Sequence, residues 1–289
     1  MRQFGTVLAT VLLISPALSG RAGERAIDSD NPVREGGAAV VARGATNAGA
    51  RGFDAALSHV LIDAATEAIV DAQWNDLDRP VPVGSLIKPF TALAYAGAHQ
   101  FVYPSYTCHG GAECWLPRGH GRVDLSGAIA GSCNAYFDRL ARQTTPEAFV
   151  ATLQRFGLRA GAGDATVAAM VGLSGSLKLE PVSLARAYLE LAARADQPGV
   201  APIVRGMMAS AELGTGRGVG RSLLHAGAWA KTGTAPCSHA SKAAADGYAI
   251  VVYPVERPRL VLLVQAHGRT GAEAAIAAGR ILGEASGVH

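Results

Sequence analysis

The stretch Gly84-Ser85-Leu86-Ile87-Lys88 stands where a strand-rich segment of the chain gives way to a helix. Pro89 follows it directly, and proline suits the first turn of a helix because an amide hydrogen there would go unpaired. Ser85 and Lys88 are three residues apart, so on a helix they share one face. This junction predicts the end of an N-terminal strand pair and the beginning of a long helical block.

The hydrophobic pattern of the chain falls into three blocks. Two β-prone runs, 59–63 and 68–74, come first and predict a hairpin. From about residue 85 to 226 the pattern is mainly helical. The clearest helical segments of this block are 88–98, 125–143, 146–156 and 181–194. The last block returns to strands before a closing helix, with elements predicted at 228–235, 248–253, 260–265 and 272–285. This order predicts an α+β sheet with a helical insert.

Composition excludes several classes of protein. Of 289 residues, 26 are basic and 23 acidic, which gives a net charge of +3, and only 6% are aromatic. With no long basic run, these values argue against a nucleic-acid-binding surface. Apolar residues make up 49% and charged residues 17%, as in a folded globular chain. The one long uncharged apolar stretch lies at the extreme N-terminus, which excludes a multispanning membrane protein.

Lysine is scarce in this chain. Subtracting the four lysines from the 26 basic residues leaves 22 arginines. The lysines are Lys88, Lys178, Lys231 and Lys242. Arginine cannot be deprotonated in a protein, whereas lysine shifts its pKa readily. In a chain that uses arginine for most of its basic residues, a lysine therefore indicates a need for a titratable amine.

The N-terminus has the pattern of a secretory signal peptide. Arg2 precedes the mostly apolar run 7–18, and Ala17-Leu18-Ser19 offers small residues at the cleavage spacing. We therefore expect the chain to be exported to the periplasm or cell envelope, and the pattern leaves an uncleaved N-terminal anchor open. The expected divisions are a signal peptide at 1–20, a flexible lead-in at 21–55 and one folded domain at 56–289.

The cysteines fit an oxidising compartment. They are Cys108, Cys114, Cys133 and Cys237. Cys108 and Cys114 are spaced to close a disulfide, but four cysteines allow three pairings and the sequence does not choose among them. His109 and His120 near the first two cysteines invite a zinc interpretation. The spacing matches no common zinc pattern and exported chains favour disulfides, so we expect no metal.

Ser85 and Lys88 form the first candidate catalytic pair. If their turn is buried, desolvation favours the neutral amine, which can then take the proton of the serine hydroxyl. The alternative is a helix start with a capping serine and a solvated lysine. No other Ser-x-x-Lys spacing occurs in the chain, and it uses one of the four lysines.

Ser132-Cys133-Asn134 opens an amphipathic stretch and is the second candidate. Ser132 offers a second hydroxyl able to pass a proton. The amide of Asn134 both donates and accepts hydrogen bonds, which suits a peptide-like ligand. The alternative is a helix N-cap, for which serine and asparagine are preferred residues.

Lys231-Thr232-Gly233-Thr234 lies in the first strand of the last block and is the third candidate. Glycine weakens a strand interior unless something must come close to its backbone. A substrate lying along this strand would meet a positive charge and two hydroxyls suited to an anionic terminus. The backbone amides of Thr234 and Ser85 would form an oxyanion hole. The alternative is an exposed edge strand whose lysine prevents aggregation.

The order Ser-x-x-Lys, Ser-x-Asn, Lys-Thr-Gly resembles the superfamily of penicillin-binding proteins and class A β-lactamases. The sequence looks most like the transpeptidase domain of high-molecular-weight penicillin-binding proteins, over about residues 56–286. Further similar strings are Gly119-His120-Gly121, Val123-Asp124-Leu125, Ala135-Tyr136-Phe137, Leu184-Ala185 and Ala187-Tyr188. The resemblance implies a five-stranded antiparallel sheet flanked by helices, with an inserted mainly helical subdomain.

The resemblance also implies a role for each motif residue. Ser85 would be the acylated nucleophile, Lys88 its general base and Ser132 a proton relay. The substrate-binding residues would be Asn134 for an amide, Lys231, Thr232 and Thr234 for a carboxylate, and Gly233 for close approach of the strand. No metal or organic cofactor is implied. The expected partners are peptidoglycan stem peptides, β-lactams and a cell-wall protein that replaces a missing pedestal domain, with no nucleic acid.

The resemblance leaves the activity open among several alternatives. A D,D-carboxypeptidase, a β-lactamase of the same fold and a non-catalytic sensor or scaffold all use this fold. No asparagine follows Asn134, so the loop pattern of class A β-lactamases cannot be met. The flanking strings favour a D,D-transpeptidase.

Overall fold

The structure is a computed structural model that describes residues 56–223, 227–237 and 245–287. The predicted signal peptide at 1–20 and the lead-in at 21–55 lie outside the described residues. Among the residues described, no helix has both the length and the apolar character needed to cross a membrane.

A five-stranded antiparallel sheet lies at the centre of the domain. The strands in chain order are β1 (Leu57–Asp63), β2 (Ile69–Gln73), β3 (Val81–Pro82), β4 (Tyr106–Cys108), β5 (Gly121–Val123), β6 (Lys178–Leu179), β7 (Trp229–Pro236), β8 (Ala245–Tyr253) and β9 (Leu260–Ala266). The central sheet has the order β2-β1-β9-β8-β7, and β3 with β6 and β4 with β5 form two small ribbons. The last motif strand, β7, is therefore an edge of the sheet.

Helices surround this sheet. In chain order they are α1 (Lys88–Ala98), α2 (Leu125–Ala130), α3 (Asn134–Ala141), α4 (Pro146–Arg155), α5 (Val167–Val171), α6 (Pro181–Ala193), α7 (Ala201–Glu212), α8 (Arg217–Ser222) and α9 (Gly271–Ser286). A 3-10 turn at Gly84–Ile87 leads directly into α1. The predicted α+β sheet with a helical insert is confirmed.

The strands β8 and β9 are buried on both faces, and the side chains that alternate along β8 enter two different cores. In β8, Tyr248, Ile250 and Val252 pack in the core that the sheet shares with the helical insert. Their neighbours Ala249 and Val251 pack in a second core that contains the apolar face of α9. Packing on both faces holds the sheet in place. The strand β7 is therefore a firm support for a site.

The helix α1 crosses the interior of the helical block. Its residues from Lys88 to Ala96 are all buried. The ring of Phe90 makes edge-to-face contacts with Phe156 and Tyr188, with centroids 5.3 and 5.6 Å apart. The Tyr188 hydroxyl donates to the carbonyl of Leu86 at 2.7 Å. Packing of α1 and this buried hydrogen bond thus fix the turn that carries Ser85 on its core side.

One sequence prediction about local structure was wrong. The helix predicted at 125–143 is two helices, because the chain breaks at Ser132, whose φ of 50° lies in the left-handed region. A Gly-rich string at 214–220 contains the first residues of α8, which begins at Arg217. Its glycines permit close helix packing, since a Cβ at Gly218 would lie 2.7 Å from the Ile276 side chain of α9.

Candidate active site

Ser85 lies in the 3-10 turn immediately before α1. Side chains three residues apart eclipse one another on a 3-10 helix, so Ser85 and Lys88 point to the same side. Ser85 is half-buried, whereas Lys88 exposes no surface to solvent. Gly84 closes the turn against β7, because a Cβ there would lie 2.6 Å from the carbonyl oxygen of Thr234. The sequence therefore needs glycine at this position, where φ is also positive.

The amine of Lys88 is held by the second motif. Its Nζ donates to the carbonyl oxygen of Ser132 at 2.8 Å and to Oδ1 of Asn134 at 2.7 Å, and lies 3.3 Å from Oγ of Ser132. Burial disfavours the charged amine and lowers the pKa of Lys88 to about 7. A large fraction of this amine is neutral at physiological pH and able to accept a proton.

Ser132 lies between two lysines. Its Oγ accepts a hydrogen bond from Nζ of Lys231 at 2.9 Å, in addition to the contact with Lys88. The left-handed backbone at Ser132 is costly for a residue other than glycine, and such strain clusters at functional sites. The arrangement makes a continuous path for a proton between the two amines through one hydroxyl.

The second motif is not a helix cap. The N-cap of α3 is Cys133, whose side chain makes no capping hydrogen bond, and Asn134 is the first residue of the helix. The Asn134 amide instead accepts from Lys88. The capping alternative for this motif is therefore wrong.

Lys231 is buried inside the site although it belongs to an edge strand. It exposes no surface, and its Nζ also donates to the carbonyl oxygen of Thr232 at 2.7 Å. Burial, followed by the charge of nearby Lys88, lowers the pKa of Lys231 well below its usual value. The alternative of a solvated lysine that protects an exposed edge is therefore wrong.

The remaining residues of the third motif have distinct surroundings. Oγ1 of Thr232 donates to Oγ1 of Thr215 at 2.6 Å, so this buried hydroxyl is already oriented. Thr234 is exposed, and its Oγ1 accepts from the amide of Gly271 at 3.2 Å. Its own hydrogen can donate to a second acceptor, so Thr234 is the exposed hydroxyl of this motif that is best placed to meet a ligand.

Gly233 has a packing role in the structure. A Cβ at Gly233 would lie 3.0 Å from the carbonyl oxygen of Val83 and 3.2 Å from the amide nitrogen of Ser85. The missing side chain thus lets β7 approach the turn of the nucleophile. The close approach expected at Gly233 is made here to the protein's own backbone.

Two residues of the site were missed by the sequence analysis. Thr215 orients Thr232, and Trp115 donates from Nε1 to the carbonyl oxygens of Gly131 and Ser132 at 3.1 and 3.2 Å. Trp115 is 52% exposed and so braces the second motif from the surface. Neither residue belongs to a motif, and only the tertiary fold brings them to the site.

The structure brings the three motifs together at one end of the sheet. The second motif contacts both lysines, and the third motif packs on the turn that carries Ser85. Comparison with protein families matches residues 57–285 to the penicillin-binding protein transpeptidase domain. The chain belongs to this family, as the resemblance of its motifs predicted. No curated protein sequence matches the chain.

Solved structures of the same family share the fold. Penicillin-binding protein 2 of Pseudomonas aeruginosa, in complex with WCK 5153, is similar with a TM-score of 0.66 and 18% identity, over 79% of this chain and 71% of that chain. Penicillin-binding protein 2 of Helicobacter pylori, in complex with MreC, is similar with a TM-score of 0.65 and 15% identity, over 83% of this chain and 62% of that chain. A D,D-transpeptidase domain of a peptidoglycan glycosyltransferase from Eggerthella lenta has a TM-score of 0.63 and 16% identity, over 81% and 79%.

Proposed function

We propose that the protein is an exported serine D,D-transpeptidase that acts on peptidoglycan stem peptides through an acyl-enzyme on Ser85. The observation that carries the proposal is the hydroxyl of Ser132 held between two buried amines, beside the turn of Ser85. Nucleophilic catalysis by serine needs a base within reach and a path that returns the proton to the leaving group. Family membership supports the same chemistry.

In the acylation step, neutral Lys88 takes the proton of Ser85 as Oγ bonds to the carbonyl carbon of the penultimate D-alanine. The amide bond to the terminal D-alanine then breaks. Ser132 passes the proton to the leaving amine, so that D-alanine departs with its nitrogen protonated. In the second step an acceptor amine attacks the ester, its proton returns through the same groups, and Ser85 is regenerated.

The third motif would bind the terminal carboxylate. The substrate is proposed to lie along the edge strand β7, where the exposed Thr234 hydroxyl meets the carboxylate. The buried Lys231 contributes a positive charge, because a bound carboxylate favours the protonated form of its amine. The amides of Ser85 and Thr234 are the proposed oxyanion donors, and Asn134 the proposed ligand of the substrate amide.

We also propose a protein partner in the cell envelope. Penicillin-binding protein 2 of Helicobacter pylori was solved in a complex with MreC, and another similar structure is that of a peptidoglycan synthase complex. By analogy, this chain would work with a cell-wall protein.

Labelling with a fluorescent penicillin tests the acyl-enzyme. We expect a stable covalent label on the wild type, none on Ser85→Ala, and unchanged labelling of the matched control Ser105→Ala, which alters an exposed serine elsewhere. Label on Ser85→Ala would refute the proposed nucleophile. Label that forms and rapidly disappears would identify a β-lactamase instead.

A stem peptide ending in D-Ala-D-Ala tests the acceptor. Incubated with and without an acceptor amine, a transpeptidase releases D-alanine and forms the cross-linked product when the amine is present. Release of D-alanine with only hydrolysed product would identify a carboxypeptidase. Labelling without turnover on any stem peptide would identify a sensor.

A further inference from the structure

A second cluster of polar side chains lies directly behind the second motif. It consists of the thiols of Cys108, Cys114 and Cys133 and the imidazole of His120, and we call it the thiol cluster. One candidate ligand atom from each residue lies within 4.8 Å of all the others. The three cysteines are buried and His120 is half-buried. Cys108, Cys114 and Cys133 are free thiols in the structure.

Three of the distances among these atoms match those of a tetrahedral zinc site. Zinc–sulfur bonds of about 2.3 Å and zinc–nitrogen bonds of about 2.0–2.1 Å at tetrahedral angles put sulfurs about 3.8 Å apart and sulfur about 3.6 Å from nitrogen. Nδ1 of His120 lies 3.6 Å from Sγ of Cys108 and 3.5 Å from Sγ of Cys114. The Sγ atoms of Cys114 and Cys133 are 4.0 Å apart.

The imidazole is oriented as a metal ligand. Nε2 of His120 lies 3.1 Å from the carbonyl oxygen of Gly131, and because a carbonyl only accepts, Nε2 carries the hydrogen. In the neutral ring Nδ1 is then unprotonated and faces the sulfurs. Histidines that bind metals commonly donate their other nitrogen to a carbonyl in this way. A Cβ at Gly131 would lie 2.7 Å from the ring, so glycine there makes room for it.

The loop that carries these residues is folded tightly on itself. Gly110 and Gly119 have positive φ, and a Cβ on Gly119 would lie 2.3 Å from the carbonyl oxygen of Cys108. A Cβ on Gly110 would lie 2.2 Å from the carbonyl oxygen of Pro117. Only glycine permits this double approach of backbone to backbone, which brings Cys108, Cys114 and His120 to one point.

We propose that the thiol cluster binds one zinc ion through three thiolates and one imidazole. Binding replaces the three thiol protons, which leave to solvent. With four protein ligands the site is closed, so the ion is structural rather than catalytic. The loop that carries Cys108, Cys114 and His120 has no common zinc spacing by itself. The fold adds Cys133, which directly precedes α3, and completes the ligand set.

The zinc ion would position the second motif. Cys133 stands between Ser132 and Asn134, which both contact Lys88. Trp115, one residue after Cys114, donates to the Ser132 carbonyl oxygen from the same loop. An ion bonded to Cys133 therefore ties the loop to the strained backbone of Ser132. Its effect on acylation is that of a positioning site, since no ligand of the cluster need touch the substrate.

Metal content of the protein as purified from the cell envelope tests the proposal. We expect about one zinc per chain in the wild type. The variants Cys114→Ser and Cys133→Ser should lose it, and the matched control Cys237→Ser, outside the cluster, should keep it. Wild-type protein without stoichiometric zinc, or with only copper or iron, would overturn the assignment. A disulfide between Cys108 and Cys114 in a non-reducing peptide map of that protein would do the same.

Substitution of cobalt for zinc tests metal binding in the wild-type protein, so the result does not depend on whether a variant folds. Wild-type protein stripped with a chelator and reloaded with Co²⁺ should show the intense visible absorption of tetrahedral cobalt and a thiolate charge-transfer band. Absence of both from folded, reloaded protein would count against the site. Neither measurement depends on penicillin labelling, so zinc binding and acyl transfer fail or succeed separately.

Discussion

Two polar clusters meet in three consecutive residues of this domain. The amine cluster, Lys88, Ser132, Asn134 and Lys231, uses residues 132 and 134, and the thiol cluster uses the residue between them. Both are buried, yet their groups differ in kind. Burial lowers the pKa values of both amines, and the Ser132 hydroxyl hydrogen-bonds to each of them. The thiols and the imidazole are instead spaced for the proposed coordination of zinc. On the two proposals, the amine cluster performs the chemistry and the thiol cluster holds the second motif in place.

After loss of the nucleophile Ser85 itself, the largest effect on rate should come from Lys88. Lys88→Ala removes the proposed base, and general base catalysis contributes about 10²–10⁴-fold. We expect acylation by penicillin to slow by about 10³-fold, measured as the second-order rate constant of labelling. Lys88→Arg should be equally slow, because arginine keeps the charge but does not deprotonate. Labelling of Lys88→Arg at the wild-type rate would remove the base role.

The wild-type rate should also rise with pH. The lowered pKa of Lys88 means that its neutral form, which is the base, increases as pH rises through about 7. Acylation should therefore be about tenfold faster at pH 8 than at pH 6. Lys231, Cys114, Cys133 and His120 also face this amine, so the comparison needs zinc-loaded protein. A rate that falls over this range would contradict a neutral Lys88 as the base.

Lys231 should have the next largest effect. Its charge supports the carboxylate and its Nζ orients Ser132 at 2.9 Å. A hydrogen bond to a charged group contributes about 1.5–3 kcal/mol, so Lys231→Ala should slow acylation by about 10- to 100-fold. The loss should be smaller for a penicillin ester, which lacks the carboxylate. Equal losses on the acid and its ester would assign Lys231 to proton transfer alone.

Variants of the thiol cluster should reverse this order of effects. Cys114→Ser should lower the midpoint of thermal unfolding by about 5 °C or more, because loss of a structural metal is a large-effect mechanism and 1 kcal/mol shifts the midpoint by about 2–4 °C in a domain of this size. Acylation should slow only about tenfold. Lys88→Ala should show the opposite balance. If Cys114→Ser slowed acylation as much as Lys88→Ala without loss of stability, the two clusters would not be separable in this way.

The two clusters also differ in how far the sequence predicts them. Ser85 and Lys88 are three residues apart, so local helix geometry brings them together. Lys231 was predicted at the site, but its burial was not, because burial of an edge strand depends on what packs over it. The thiol cluster joins residue 133 to a loop that begins about twenty-five residues earlier. Its ligand geometry depends on glycine turns with positive φ, which spacing along the chain does not reveal.

The smallest effect should come from Thr215, which supports the amine cluster from outside any motif. It accepts the hydroxyl of Thr232 at 2.6 Å, and its amide donates to the carbonyl oxygen of Ala130 at 3.1 Å. Thr215→Val keeps the shape and the amide but leaves the Thr232 hydroxyl without this acceptor, at a cost of about 1 kcal/mol, or roughly fivefold. The expected loss is in KM for a carboxylate substrate rather than in kcat. Thr215→Ser keeps the hydroxyl and should have the wild-type KM. If Thr215→Val and Thr215→Ser had the same KM, Thr232 would be oriented by β7 alone.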